Sequence, residues 1–365
     1  MGEIKDYKCP CCAAPLVFDA ETQNLHCNSC GNNFSLENLQ LIDEADANTR
    51  ENSRFDWDSY TPREFDGEET ASLSGYTCPA CGAEITGDDS LGSTVCPYCG
   101  SSTIIKAQFE GMSKPDYLIP FKIDKQKAVA AFEGNSAKMP FLPKEFKSKK
   151  RISEMSGVYV PFWMFDCDCD AAITYNAEKI TSWSDSDYDY TKTDYYRLLR
   201  SGKVGFANIP VDASTKTDDD YIEPLEPFNY NDAVNFDMAY LSGYLSDKYD
   251  VSVEDSKPHA NERVKNSTED AFRKTVDRTY TAVQPLDSSI SFSNGKIRYA
   301  LLPVWMLNIK YKNENYKFTV NGQTGKVVGK YPVDKSKRNL YFLKVLGISG
   351  AISAVMAYAA CYILR

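Results

Sequence analysis

The sequence predicts an α+β multidomain protein, and three of its features carry that prediction. A C-x2-C-x14-C-x2-C pattern occurs twice, a set of landmarks recurs in one order through the middle of the chain, and twenty consecutive uncharged residues lie near the C-terminal end. At 365 residues there is room for two or three modules. A composition of 42% apolar and 25% charged residues excludes a disordered or collagen-like chain. The net charge of −10 sets the chain as a whole against a phosphate backbone unless basic residues cluster. With two histidines, His26 and His259, there is little material for imidazole catalysis. The first eight residues are short, charged and run straight into cysteine, unlike a secretory signal. The twelve cysteines are therefore expected in a reducing cytosol, where paired cysteines bind metal more often than they form disulfides.

Residues 1–40 and 76–110 are each predicted to be a small ribbon. Cys9, Cys12, Cys27 and Cys30 form one quartet, and Cys78, Cys81, Cys96 and Cys99 repeat its spacing 69 positions later. A C-x2-C turn aims two thiolates at one ion, and two such turns complete the tetrahedron that suits Zn²⁺. Pro10 and Pro79 follow a first cysteine; Gly31, Gly82 and Gly100 follow a second one, where a positive φ frees amides to bond the sulfurs. Four thiolates leave the ion no vacant position, so both sites are expected to be structural. Segments this short bury too little to fold alone, and zinc should supply much of their stability. His26 is read as a partly exposed neighbour of Cys27. Each ribbon carries a local charge of −3, from Lys5 and Lys8 against five acids and from Lys106 against four. Nucleic-acid binding by either is therefore disfavoured and protein docking favoured.

Residues 41–75 form an acidic linker, with ten acids and three arginines between Leu41 and Thr70 and a short docking element at Phe55, Trp57 and Tyr60. Asp43-Glu44-Ala45-Asp46 spells a helicase box by accident. None of the Gly-Lys pairs at 202, 295, 325 and 329 is followed by the Ser or Thr that a phosphate-cradling loop needs.

Residues 111–222 and 223–334 are predicted to be two α+β repeats. Pro120-Phe121 with Ala128-Val129 is echoed by Pro227-Phe228 with Ala233-Val234, each pair expected to open a helix. Pro161-Phe162-Trp163-Met164 is echoed by Pro303-Val304-Trp305-Met306. Gly202-Lys203-Val204 before Pro210-Val211-Asp212 is echoed by Gly325-Lys326-Val327 before Pro332-Val333-Asp334. Each repeat is expected to run helix and then antiparallel meander. In the second repeat, a hairpin turns at Asn321-Gly322 and Thr324-Gly325, and a helical insertion covers 231–249 and 252–281. Ser252 with Asp255 resembles a capping box. Trp163 and Trp305 are expected in the core, and Cys167 and Cys169, alternating with Asp166, Asp168 and Asp170, on the core face of a strand. Asp185, Asp187 and Asp189 resemble the start of a calcium loop, but Tyr190 stands where that loop needs Gly and Tyr196 where it needs Glu. No catalytic motif is found, so no catalytic residue and no enzymatic activity are expected. The basic run Lys144, Lys147, Lys149, Lys150 and Arg151 is a solvated loop or a contact for anionic lipid or an acidic partner.

Residues 335–365 hold a basic flank and the expected transmembrane helix. Val345–Leu364 contains sixteen apolar residues with Gly347, Ser349, Gly350 and Ser353. Twenty helical residues span about 30 Å of hydrocarbon. Lys335, Lys337, Arg338 and Lys344 precede the run and Arg365 follows it, which predicts a single-pass membrane protein with its large N-terminal part cytoplasmic. Gly347 with Ala351 and Gly350 with Ala354 have the small-x-x-x-small spacing through which helices can pair into a homo-oligomer.

The two cysteine ribbons, the stretches Val158–Trp163 and Leu302–Asn308, and the segment Trp183–Tyr190 together resemble a bacterial family of TFIIB-type zinc-ribbon-containing proteins, over nearly the whole chain. Some members carry a primosomal helicase label. The resemblance implies a membrane-associated partner of flotillin-like SPFH proteins and of envelope-stress machinery. The expected function is thus a membrane-anchored, non-enzymatic adaptor. The competing reading is a nucleic-acid-binding or replication-associated ribbon protein without a motor.

Overall fold

The computed structural model describes residues 7–10, 14–20, 22–29, 31–40, 55–66, 74–87, 96–101, 105–107, 113–216 and 219–363. In chain order the strands are β1 (Val17–Asp19), β2 (Asn24–His26), β3 (Asn33–Phe34), β4 (Phe55–Trp57), β5 (Ser74–Thr77), β6 (Glu84–Gly87), β7 (Ile105–Ala107) and β8 (Tyr117–Leu118). After helix α1 (Lys125–Ala137) come β9 (Ser156–Ser184), β10 (Asp189–Asp212), β11 (Val234–Asn235) and β12 (Leu245–Asp247). Helix α2 (Val253–Arg273), β13 (Ala282–Tyr311), β14 (Glu314–Asn321), β15 (Val327–Gly329) and helix α3 (Lys335–Ile363) complete the chain. This is a mixed α+β architecture. Two compact units interleave along the chain: one takes residues 1–60, 164–211 and 254–297, the other 61–163, 212–253 and 298–365.

The two longest strands change character along their length. Gly157–Phe165 and Tyr299–Leu307 are buried without a break, as continuous apolar runs covered on both faces should be. From Asp166 to Asp170, β9 alternates, with Cys167 and Cys169 buried and Asp168 and Asp170 exposed, as the sequence pattern predicts.

In the second unit the strand order is β11-β8-β13-β9-β12-β6-β5-β7, with β14 on β13 and β15 on β14. Asp124 caps α1 by accepting the Lys127 amide at 2.8 Å. α1 then buries Ala128 and Phe132 against Leu142, Phe146 and Ile152 and against Trp305, Leu307, Phe318 and Val320 of β13 and β14. Phe132 lies edge-on to Phe318, with ring centroids 5.0 Å apart. Phe132→Ala should cost about 3–5 kcal/mol, read as a lowered urea midpoint with unchanged slope. The predicted hairpin is present: Val320 pairs with Val327, and Gly325, at φ +79, donates its amide to Asn321 O at 2.9 Å. Trp163 and Trp305 are core residues whose indoles donate to Val251 O and Ile123 O.

In the first unit α2 presents a narrow seam, Ser256, Ala260, Val264, Thr268 and Phe272 at four-residue spacing, toward β9 and β13. Trp57 of β4 packs on Phe165 and Phe292, and its indole donates to Asn261 Oδ1 at 2.8 Å.

The helix expected over 231–249 is not formed. That stretch holds 3-10 turns at Tyr230–Asp232 and Met238–Leu241, capped by Asn229 and Asp237, and the short strands β11 and β12. Ala233-Val234 therefore opens a strand paired with β8, not a helix. Gly243 at φ +79 interrupts any helical path, and β12 gains ladder bonds from β6 and β9 that a helix would forgo. The insertion's second part does form, as α2, with Pro258 inside it.

Candidate metal centre

The second cysteine quartet is assembled by three strands. β5 and β6 pair antiparallel, β5 also pairs with β7, and the first knuckle sits in the β5–β6 connection. In it Cys78 N donates to Ala83 O and Gly82 N to Cys78 O; Cys96 N donates to Ser101 O and Gly100 N to Cys96 O in the other. Gly82 and Gly100 both take φ +72, the left-handed conformation that the cysteine spacing predicts there. The four sulfurs lie within 4.8 Å of one another, with Cys78–Cys99 at 3.7 Å and Cys81–Cys96 at 3.8 Å. Sulfurs placed about 2.3 Å from one ion at tetrahedral angles stand about 3.8 Å apart, so this cluster fits zinc. The donor set is what carries the fit.

The electrostatics of the quartet call for a cation. Burial raises the thiols of Cys96 and Cys81, although amides point at both sulfurs. At Cys78 burial also opposes charge, but the amides of Cys81 and Ala80 outweigh it and bring the thiol down to about 7. Four thiolates in this space need a divalent ion to offset their repulsion. Asn308 Nδ2 bonds Pro97 O, and Asn315 Nδ2 bonds Cys99 O at 3.1 Å, tying the second knuckle to β13 and β14.

In the first predicted quartet, Cys12 and Cys30 lie outside the described residues, as does the 43–46 motif. Cys9 and Cys27 are buried, and each keeps the same knuckle bond: Cys9 N donates to Ala14 O at 2.7 Å and Cys27 N to Asn32 O at 2.9 Å. Gly31 takes φ +76 and donates to Cys27 O. His26 bonds Asn33 on the next strand through Nδ1.

The other candidate groups are placed as follows. Cys167 and Cys169 stand 3.7 Å apart, buried with Val264 and Phe292, and no third ligand joins them among the described residues. Asp185 closes the β9–β10 hairpin: its Oδ1 accepts the amides of Asp187 and Tyr188, while Asp189 accepts Ser184 Oγ. The Asp187 amide, then the Tyr190 hydroxyl and the Tyr188 amide, hold the Asp185 carboxyl below its usual value. Its oxygens are thus committed to the turn. Phe146 and Ile152 anchor the basic run in the core, leaving Lys144, Lys147, Lys149 and Lys150 at the surface.

A feature with no signal in the sequence lies beside the second quartet. Asp247 and Tyr98 are buried together, and Ser214 Oγ donates to Asp247 Oδ2 at 2.6 Å. Burial raises Asp247 to about 7 against the hydrogen bonds from Ser214 and the Lys248 amide, and burial also pushes Asp212 well up. An acid whose value is raised by folding keeps a proton that the unfolded chain has released. It therefore subtracts stability progressively as pH rises from about 4 to about 7, and no further above that. Asp247→Asn should remove up to about 1 kcal/mol per pH unit of that slope, read from urea unfolding across the window. An unchanged slope would mean that the carboxyl ionises normally.

α3 is long and apolar enough to cross a membrane over Lys335–Tyr358. Near its start Lys337 Nζ bonds Leu142 O and Tyr341 packs on Phe141, and side chains 338–358 are all exposed.

Compared with known proteins, the chain is 34% identical over 344 residues to the Bacillus subtilis (strain 168) protein YdjG, described as uncharacterized, covering 94% of this chain and 95% of that one. The chain belongs to the same family as YdjG. No family model and no solved structure matches it.

Proposed function

We propose that this member of the YdjG family is a membrane-anchored adaptor: two closed zinc ribbons and a duplicated α+β domain present protein-binding surfaces on the cytosolic side, and α3 holds them at the membrane. The observation that carries the reading is the four-sulfur cluster of Cys78, Cys81, Cys96 and Cys99, which supplies a full tetrahedron and leaves no position for substrate or water. The knuckle bonds at Cys9 and Cys27 support a second such site with Cys12 and Cys30. The paired roles of Trp163 and Trp305 support duplication, as do the carbonyls of Pro161 and Pro303, which accept from Ala213 and Gly322. The exposure of every side chain from 338 to 358 supports the anchor, and the basic residues at the start of α3 the cytosolic side.

The resemblance to TFIIB-type ribbon proteins points to a flotillin-like SPFH partner in an envelope-stress assembly. Capture of the full chain from detergent-solubilised membranes tests this. The wild type should retain an SPFH protein that Cys96→Ser loses, and retention of nothing above background, or of the same set by both, would sink the reading.

A further inference from the structure

β10 pairs with β9 alone among the described strands, so a strand of 24 residues presents one open edge. Such edges template the addition of another strand unless they are blunted, and no proline interrupts β10 before Pro210. The hairpin register determines what the edge offers. Asp185 N donates to Tyr188 O at the turn, Ser182 Oγ stands 3.4 Å from Thr191 Oγ1, and Lys203 reaches Asp170 farther down. In an antiparallel pair alternate residues exchange both bonds with the neighbour. Asp189, Thr191, Thr193, Tyr195 and Arg197 consequently direct their amides and carbonyls outward.

We infer that this edge pairs with the same edge of a second copy of the chain, antiparallel and centred on Thr193. A two-fold axis there sets Lys192 opposite Asp194 of the second copy, Asp189 opposite its Arg197, Tyr190 opposite its Tyr196 and Thr191 opposite its Tyr195. Both members of each pair lie on one face, because side-chain direction alternates with period two. Every charge between 189 and 197 then meets its opposite. Lys192 already bonds Asp194 of its own chain at 3.0 Å, so the axis gathers an alternating group of four charges. Moving the axis by one residue sets Lys192 or Asp194 against its own copy, a like-charge pair, so the charges select this register. Tyr195 is 58% exposed and gains neighbours in the pair.

Sedimentation equilibrium of the full chain in density-matched detergent tests the interface. The wild type should run at twice the 41.0 kDa chain mass. Arg197→Asp makes two attractive contacts repulsive and should raise the dimer dissociation constant about tenfold or more. Asp189→Arg combined with Arg197→Asp should restore it, which a folding defect would not. Thr193→Pro, which deletes the outward amide on the axis, should leave monomer. A wild type that stays monomeric up to about 100 µM overturns the inference. So does a dimer that Arg197→Asp and Thr193→Pro leave unchanged, since its interface lies elsewhere, as on α3. Failure of the charge exchange to recover what Arg197→Asp loses also overturns it.

Discussion

Cys96→Ser is expected to cost the chain one bound zinc ion and to unfold the segment around 76–110. Among the described residues of that segment other than cysteine, the buried apolar side chains are Ala83, Ile85, Pro97 and Tyr98, and its three strands are three or four residues long. A core of that size cannot offset the entropy of ordering some thirty residues at about 1–2 kcal/mol each. Structural zinc supplies about 10–16 kcal/mol in comparable sites, which exceeds what most whole domains have to spare. A serine hydroxyl does not ionise near neutral pH and leaves three thiolates around the ion. Zinc determination on the purified chain, paired with limited proteolysis, reads both effects. Cys167→Ser serves as the control: it removes a buried thiol from β9, outside the quartet, and should leave the zinc content alone. Unchanged zinc in Cys96→Ser would show that the four sulfurs do not share an ion.

Removing residues 339–365 is expected to move the protein from the membrane pellet to the soluble fraction. Leu340, Phe342, Leu343, Leu346, Ile348, Ile352, Val355 and Met356 are all more than half exposed. At about 1.5–3 kcal/mol for each, their burial in lipid is worth on the order of 20 kcal/mol, far above any surface ion pair. Ile352→Arg, near the middle of the apolar run, adds a cost of about 2.5–3.5 kcal/mol and should weaken carbonate-resistant retention without abolishing it. Recovery of the full chain in the soluble fraction without detergent would remove the anchor from the account.

What was legible in the sequence was what chemistry ties to spacing. The Cys78 quartet could be read because zinc demands two thiols three residues apart, twice, and Gly82 and Gly100 because those turns need a positive φ. The alternation around Cys167 and Cys169 announced a strand with one buried face, and Asn321-Gly322 announced a hairpin. Position 231–249 misled because Ala233-Val234 imitates the opening of a helix locally, while its backbone bonds go to strands more than a hundred residues away in sequence. The group of Tyr98, Asp212, Ser214 and Asp247 left no trace at all. It draws on three separated segments, and a carboxylate in Leu245-Ser246-Asp247 looks like any surface acid until β6 and β9 enclose it.

Zinc-edge X-ray absorption on the full chain, purified in detergent without added metal, is the sharpest test of a closed four-thiolate site: the first shell should be four sulfurs at about 2.3 Å with no lighter ligand. A shell containing oxygen or nitrogen, or a chain that purifies with less than about one zinc ion, would contradict it, because an open position would turn a scaffold into a reactive centre.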